Sequence, residues 1–314
     1  MNKNLLIRAR KKGVPLVYSA IRFLFLAGIT YVILSPLLTK FVLLFMDFRD
    51  IKDFSVTWIP KHFTLDNVKL VIELIDYWKS LAVSIGVCML LAIIQVFVTT
   101  ISAYGLARYK SKIRDIIFYL VIGTLIIPPQ TYLVSLYIQF KNFDPFGIVS
   151  ALTESSSGIN DTIFTLIMLA GLGMGIRSGL YIFVERQSFK ALPVELEEAA
   201  TVDGAGTFST FFKIMLPNAR PTIVLCFILS FIWQWNDTIY TSLFYPNLKT
   251  LAMRMGELTV DMITVTGGWG AAGNSDTLQL TSIGAFLCVF PLILLFVLCQ
   301  KFFVQGVERS GLVG

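Results

Sequence analysis

Six apolar blocks, each long enough to cross a lipid bilayer, constrain this chain more than any other feature of its sequence. They cover residues 21–46, 80–106, 115–140, 162–184, 221–245 and 278–304. A membrane-spanning helix needs about 20 apolar residues, and in lipid only helices and closed barrels satisfy their own backbone hydrogen bonds. The pattern therefore predicts an all-α integral membrane protein with six transmembrane helices.

Composition supports lipid as the main solvent of the chain. Hydrophobic residues make up 55% and charged residues 15% of the 314 positions, against about 45–50% and 25% in soluble domains. The longest connections, about 33 residues at 47–79 and 36 at 185–220, are too short for a soluble domain that folds alone. The predicted organisation is an N-terminal tail at 1–20, a membrane domain at 21–304 with outer loops at 47–79 and 246–277 and a cytoplasmic segment at 190–220, and a C-terminal tail at 305–314.

The distribution of positive charge predicts the orientation of the chain. Of 26 lysines and arginines, sixteen lie in the N-terminal tail, the second and fourth connections and the C-terminal end, and eight lie in the other connections. Cytoplasmic loops carry the excess of positive charge, so both termini are expected in the cytoplasm of a multi-pass cell-membrane protein. The net charge of +6 follows from this topology and gives no support to nucleic-acid binding.

Several kinds of chemistry are excluded by what the sequence lacks. All four cysteines lie in apolar blocks and the only histidine is His62 in a connection, so neither a disulfide framework nor a His-rich metal site is expected. No Gly-Lys dipeptide occurs, which removes the phosphate-binding P-loop. We expect no catalytic residues, no metal and no cofactor bound by this chain.

The fourth connection contains a predicted helical element. Pro193 suits a first helical position, and Gly204 suits a left-handed C-terminal cap. Three glutamates provide negative charge at the positive end of the helix dipole: Glu195, Glu197 and Glu198. Thr207 is expected to cap a second short helix that ends at Pro217.

Two interpretations of the first helix follow from its spacing. Leu196, Ala199, Ala200 and Asp203 share one face. The two alanines would let the backbone of another protein approach closely, which favours a docking surface. Alternatively, they pack on the protein's own spans and the helix is an amphipathic linker.

The same segment resembles a known signature. Glu198-Ala199-Ala200, followed by Gly204, Ile214 and Leu216-Pro217, resembles the EAA signature of ABC importer permeases in residue type and spacing. The surroundings resemble the maltose-permease branch of carbohydrate importers: Tyr104-Gly105-Leu106-Ala107-Arg108, Ile127-Pro128-Pro129-Gln130, Arg186-Gln187 and Phe231-Ile232-Trp233-Gln234-Trp235-Asn236-Asp237.

This resemblance implies the type I permease fold of ABC importers, with a cytoplasmic EAA coupling helix. The chain would form half of a heterodimeric pore with a second, homologous permease subunit. Two cytoplasmic ATPase subunits would bind ATP and Mg, and an extracytoplasmic solute-binding protein would deliver a sugar. The residues implied to couple to the ATPase are Glu198, Ala199, Ala200, Asp203, Gly204, Ile214, Leu216 and Pro217.

Polar and aromatic residues at membrane depth suggest a translocation pathway. They are Trp233, Trp235, Asn236 and Asp237 in the fifth block and Gln130 in the third. Aromatic rings stack on sugar rings, and the amide and carboxylate hydrogen-bond to hydroxyl groups. The alternative is that the tryptophans belong to an interfacial belt and that the polar groups bond other helices.

Three other functions stay open at this point. One is an ABC permease for a different solute, such as a glycerol phosphate. The second is a secondary transporter driven by an ion gradient, which would leave the EAA-like segment unexplained. The third is a membrane scaffold. Residues 266–276, TGGWGAAGNSD, are predicted to form an additional outer loop.

Overall fold

The computed structural model describes residues 3–53, 55–109, 111–141, 143, 161–265 and 275–311. Within these ranges the regular secondary structure is helical, and one isolated antiparallel bridge joins Met46 and Phe63. The helices, in chain order, are α1 (Lys3–Leu43), α2 (Phe48–Lys52), α3 (Asp66–Leu74), α4 (Tyr77–Arg108), α5 (Lys112–Ile126), α6 (Gln130–Lys141), α7 (Ile163–Gly171), α8 (Ser178–Ala191), α9 (Glu195–Val202), α10 (Thr207–Thr210), α11 (Leu216–Trp235), α12 (Ile239–Phe244), α13 (Leu251–Val265) and α14 (Ser275–Gly311). A π-helical segment, Phe211–Met215, joins α10 to α11.

Helix length and composition support a membrane protein. Among the described residues, four helical stretches are long and apolar enough to cross a bilayer, or five if α5 and α6 count as one bent span. The four are Tyr18–Leu43, Tyr77–Arg108, Thr207–Trp235 and Thr277–Gln300. The structure thus confirms the all-helical class but not the predicted number of six spans.

The third and fourth apolar blocks are each divided into two helices. Helices α5 and α6 meet at 108°, because a residue that precedes proline avoids helical geometry and Ile127, before Pro128-Pro129, is extended. In the fourth block, α7 and α8 are separated by residues 172–177, where Gly173 and Arg177 have positive φ values of 71° and 62°.

The fifth block begins and ends differently from the prediction. The prediction of a second short helix that ends at Pro217 is wrong, because α10, the π-helical segment and α11 continue into one another. Pro217 is the second residue of α11 and directly follows the π-helical segment, whose altered hydrogen-bond pattern accommodates a residue without an N–H group. Helix α11 ends at Trp235, so the block does not continue as one helix to residue 245.

Helices also occur where the sequence predicted loops or tails. The expected outer loop at 47–79 contains α2 and α3, and that at 246–277 contains α13. Helix α1 begins at Lys3, inside the predicted N-terminal tail, and α14 extends to Gly311 in the predicted C-terminal tail. Most of the additional loop predicted at 266–276 lies outside the described residues.

The chain divides into two compact units, Met1–Leu74 with Thr259–Leu287, and Ile75–Leu258 with Cys288–Gly314. In the first unit, polar side chains converge on the carbonyl group of Met46. Asn67 Nδ2 and Gln279 Nε2 donate to this oxygen at 3.0 and 2.7 Å. These bonds tie the end of α1 to α3 and to the beginning of α14.

A carboxylate closes the connection that follows α2 in the first unit. Asp50 is buried and accepts the backbone N–H of His62 at 2.8 Å, while its second oxygen lies 2.7 Å from Nδ1 of the same residue. Burial raises the pKa of Asp50, but the hydrogen bonds and the imidazole of His62 lower it further, so the pKa lies below its ordinary value.

The second unit is built around α4, which packs against α7, α8 and α11. One apolar cluster joins α4 to α6, α7 and α12, and its members are Leu91, Leu133, Leu136, Phe140, Leu166, Leu169, Ala170, Tyr240, Phe244 and Leu248. Another joins the last turns of α4 to α8, the π-helical segment and α11: Ala103, Leu106, Ala107, Ile182, Phe189, Phe211, Met215 and Ala219.

We expect Gly179→Ala to destabilise the second unit by about 1–3 kcal/mol, the usual cost of overpacking. A Cβ atom at this position of α8 would lie 2.6 Å from Thr124 Oγ1 and 3.2 Å from the carbonyl oxygen of Val121, both in α5. Thermal unfolding of the purified protein measures the effect. Gly123→Ala is the control, since a Cβ atom there meets nothing within 4 Å; equal midpoints for the two variants would contradict the tight α5–α8 contact.

We also expect the connection held by Asp50 to open in acid. Because the pKa of Asp50 is lowered in the folded protein, its stabilisation is complete above the ordinary carboxylate pKa and is lost as pH falls through the lowered value. Asp50→Asn should increase hydrogen exchange at the His62 amide already at neutral pH. Asp66→Asn, at an exposed position, should leave that exchange unchanged, and slow exchange in both variants would refute the prediction.

Candidate functional site

The EAA-like segment forms a helix that turns sharply at Gly204. Helix α9 begins at Glu195, two residues after the start predicted from Pro193, and its first turn carries the three glutamates. Gly204 has φ +76°, Ala205 N–H donates to the carbonyl oxygen of Ala200 at 2.9 Å, and Gly204 N–H donates to that of Thr201 at 3.0 Å. The structure therefore confirms the predicted left-handed cap, a conformation that favours glycine.

The predicted coupling residues divide between an exposed and a buried side of this segment. Glu198, Ala199, Asp203, Gly204 and Pro217 are exposed, whereas Ala200 is buried and Ile214 and Leu216 are half-buried. The two alanines thus differ: Ala200 packs within the chain and Ala199 is free to meet another protein. Packing within the chain is thus confirmed for Ala200, and docking through the exposed Ala199 stays a prediction.

Glu197 points toward the end of α4. Its Oε1 atom accepts a hydrogen bond from Tyr104 Oη at 3.0 Å and lies 3.6 Å from Arg108 Nε. Arg108 also donates through Nη2 to the carbonyl oxygen of Leu192 at 2.7 Å. Helix α9 and the link before it are therefore both attached to the last turns of α4.

An apolar groove of about 430 Å³ lies beside this attachment. It is lined by Ile101, Tyr104, Gly105, Arg108, Tyr109, Thr207, Phe208, Phe211 and Phe212. Phe208 is 81% exposed. The groove and the exposed side of α9 together offer apolar and acidic surface in one region of the second unit.

Gln95, in the middle of α4, connects the helices around the second candidate site. Its Nε2 donates to the carbonyl oxygen of Ile176 at 2.7 Å and to Ser178 Oγ at 2.8 Å. Its Oε1 accepts from Ser230 Oγ at 2.9 Å and from Gln234 Nε2 at 3.1 Å. The side chain is fully buried, and every donor and acceptor position it uses is directed to α11 or to the break before α8.

Arg177 and Trp233 form the exposed part of this site. Arg177 has the positive φ of the break, between two residues that Gln95 holds. Its guanidinium group lies 4.6 Å from the ring centre of Trp233, a cation–π distance. Trp233 is 41% exposed and Arg177 is exposed, so this pair presents an aromatic side chain and N–H donors outside the core of the unit.

The other predicted pathway residues have local partners. Trp235 is buried, and its Nε1 donates to the carbonyl oxygen of Cys288 at 3.1 Å. Asp237 accepts the backbone N–H groups of Tyr240 and Thr241 at 3.0 and 2.8 Å, so it caps α12. Each of these side chains thus has a structural use within its own unit.

Two predicted pathway residues are exposed at helix ends. Asn236 follows α11 and its Nδ2 donates to the carbonyl oxygen of Ile232 at 2.8 Å. Gln130 begins α6 after the double-proline break. Among the described residues, neither side chain makes a hydrogen bond or an ion pair with the Arg177–Trp233 pair, so the structure does not bring the five predicted side chains together as one site.

Sequence reasoning assigned Glu197 only to the negative charge at the start of the helix and assigned no role to the Tyr104 hydroxyl group. Glu197 precedes the EAA signature by one position, so the motif drew attention to its neighbour. Gln95 carried a detectable signal, since it is a lone amide in a long apolar block. A polar group in such a block is expected to have a partner or a function.

The comparison with known proteins identifies the family. Residues 95–309 match the family described as "Binding-protein-dependent transport system inner membrane component". The chain belongs to this family. It is an ABC transporter permease, a transport component that crosses the membrane several times.

Individual relatives agree with this assignment. The alpha-glucoside transport system permease protein AglG of Rhizobium meliloti (strain 1021) is 29% identical over 83% of this chain, which spans 63% of AglG. The melibiose/raffinose/stachyose import permease protein MelC of Bacillus subtilis (strain 168) is 26% identical over 87% of this chain and 90% of MelC. The arabinooligosaccharides transport system permease protein AraQ of Halalkalibacterium halodurans is 26% identical over 92% of this chain and 94% of AraQ.

A solved structure shares the fold. A chain of a bacterial ABC transporter involved in the import of the acidic polysaccharide alginate superposes with a TM-score of 0.70, covering 91% of this permease and 96% of that chain. Sequence identity is 17%. The likeness therefore shows the ABC importer permease fold.

We expect Gln95→Leu to destabilise the permease by about 1–3 kcal/mol, because it leaves buried partners in α11 and before α8 without their hydrogen bonds. Unfolding by denaturant in detergent micelles measures the change. Gln130→Leu is the matched control: the same substitution at an exposed amide without a side-chain hydrogen bond to another described residue. A loss no larger for Gln95→Leu than for this control would contradict the central role of Gln95.

Proposed function

We propose that this permease is one subunit of an ATP-driven importer for a sugar or oligosaccharide. It would form half of the pore with a second, homologous permease subunit. Two cytoplasmic ATPase subunits would bind ATP and Mg, and an extracytoplasmic binding protein would deliver the solute. Membership of the binding-protein-dependent family supports the assembly, and the sugars named for AglG, MelC and AraQ support the substrate class.

The proposed topology has six spans and cytoplasmic termini. The bent pair α5–α6 and the broken pair α7–α8 would each cross the bilayer once, alongside the four long helices. Broken helices at membrane depth are tolerated where they line a cavity or are buried in protein. The excess of positive charge in the N-terminal tail and the second and fourth connections supports this orientation.

The observation that carries the ATPase-coupling role is the exposed side of α9 at the Gly204 turn. Glu198, Ala199 and Asp203 leave this side open, with an acid at the positive end of the helix and small residues beyond it. A short helix of this kind fits a cleft with basic groups on a partner. We propose that the ATPase subunit provides that cleft.

The proposed pathway is centred on Trp233 and Arg177, and Asn236 and Gln130 extend it. A guanidinium group facing lipid would be costly, which favours a water-filled pathway beside Arg177. The exposed side chain of Trp233 supplies apolar surface for sugar rings and Arg177 supplies donors for hydroxyl groups. Trp235 and Asp237 would support this surface from behind through the contacts they make within the unit.

We expect Glu198→Lys to reduce uptake at least about tenfold, because it puts a positive charge where a charge-assisted contact of the ATPase is proposed. The measurements are Mg-ATP hydrolysis by the complex purified through a tag on this chain, and uptake of labelled maltose, raffinose and arabinotriose by membrane vesicles. Glu195→Lys is the control, with the same charge change in the same exposed turn.

Two outcomes would reject the proposed function. One is a wild-type complex that contains no ATPase activity. The other is a Glu198→Lys variant that imports as fast as the Glu195→Lys variant. Uptake that persists without ATP and stops when the ion gradient is removed would favour a secondary transporter.

A further inference from the structure

Two neighbouring glutamates of α9 point in different directions. Glu198 is exposed and makes no side-chain hydrogen bond or ion pair with another described residue, whereas the side chain of Glu197 is 21% exposed and turned toward α4. If Glu198 meets the ATPase, as proposed above, Glu197 cannot meet it with the same face. Glu197 therefore needs an explanation within the permease.

The contacts of Glu197 form a joint between two helices. Tyr104 and Arg108 lie one turn apart on α4 and approach the same carboxylate oxygen, at 3.0 and 3.6 Å. Arg108 also holds the Leu192 carbonyl group at 2.7 Å, so the link on the other side of Pro193 is fastened as well. The Arg108 side chain is only 12% exposed, and hydrogen bonds to charged groups in such surroundings are strong.

The helix that carries this joint reaches the proposed pathway. Thirteen residues separate Arg108 from Gln95, or about 20 Å at the rise of an α-helix. Helix α4 is unbroken and contains no proline over this distance. Gln95, in the middle of the helix, contacts the residues on both sides of Arg177 and also Gln234, next to Trp233.

We infer that Glu197, with Tyr104 and Arg108, is the positioning residue that makes α9 and α4 move as one body, so that motion of the ATPase reaches the Arg177–Trp233 region. The inference rests on the proposed function and gives the two neighbouring glutamates different roles in it. Glu198 serves docking, and Glu197 transmits the motion. Without these contacts the ATPase stays bound and hydrolyses ATP, but hydrolysis no longer drives transport.

The test uses the complete importer in proteoliposomes and compares three alanine substitutions on one helix. For Glu197→Ala we expect ATPase capture and ATP hydrolysis within about twofold of wild type, and sugar imported per ATP reduced about tenfold, the effect of losing a charged hydrogen bond. Glu198→Ala should reduce ATPase capture. Glu195→Ala should change neither quantity.

A second variant separates transmission from folding. Tyr104→Phe removes only the hydroxyl group that donates to Glu197, and it should lower sugar imported per ATP in the same direction. A covalent link between cysteines placed at 104 and 197, joined by a bifunctional maleimide after replacement of the four native cysteines by alanine, should restore import per ATP.

The outcomes distinguish this inference from the function on which it rests. If the wild-type chain captures no ATPase, the proposed function fails. If capture is normal but Glu197→Ala imports as much sugar per ATP as wild type, only the transmission role is overturned. It is also overturned if Glu197→Ala loses the ATPase as Glu198→Ala does, or if the covalent link leaves import uncoupled.

Discussion

Gln95 is the polar group on which the arrangement of the second unit depends. In a bilayer there is no water to satisfy a buried amide, so its partners must come from other helices. Gln95 uses both ends of its amide, toward the break before α8 and toward α11. An apolar side chain would allow the three elements to slide past one another, because lipid and leucine are equally apolar. The hydrogen bonds instead specify one register.

The same constraint explains why a non-glycine residue is held in a strained conformation beside the amide. Arg177 has a positive φ, which costs a residue with a Cβ atom about 1–2 kcal/mol. Such strain persists only where surrounding contacts determine it. Here the residues before and after Arg177 are both bonded to Gln95, and the guanidinium group is placed over Trp233.

The middle and the last turns of α4 have different chemistry but a related purpose. In the membrane, a neutral amide joins it to the elements of the proposed pathway. At its last turns, Tyr104 and Arg108 join it to α9 through a carboxylate. Charged groups are tolerated in these last turns because they lie at the edge of the apolar block. The free-energy cost of a charge is smaller there than at the centre of the bilayer. Between Gln95 and Arg108, α4 packs on its neighbours through apolar side chains, and Thr100 donates to the buried carboxyl group of Glu185 at 3.2 Å.

The amino-acid sequence alone determined the helical membrane class and the EAA-like helix with its Gly204 cap, since these follow from apolar length and glycine geometry. It did not determine that Pro217 would sit inside a continuous helix, because that depends on the π-helical turn before it. Nor did it distinguish Glu197 from Glu198, Ala199 from Ala200, or Trp233 from Trp235. These pairs have the same chemistry, and only the packing of α9 and α11 against their neighbours decided which member is buried and which is exposed.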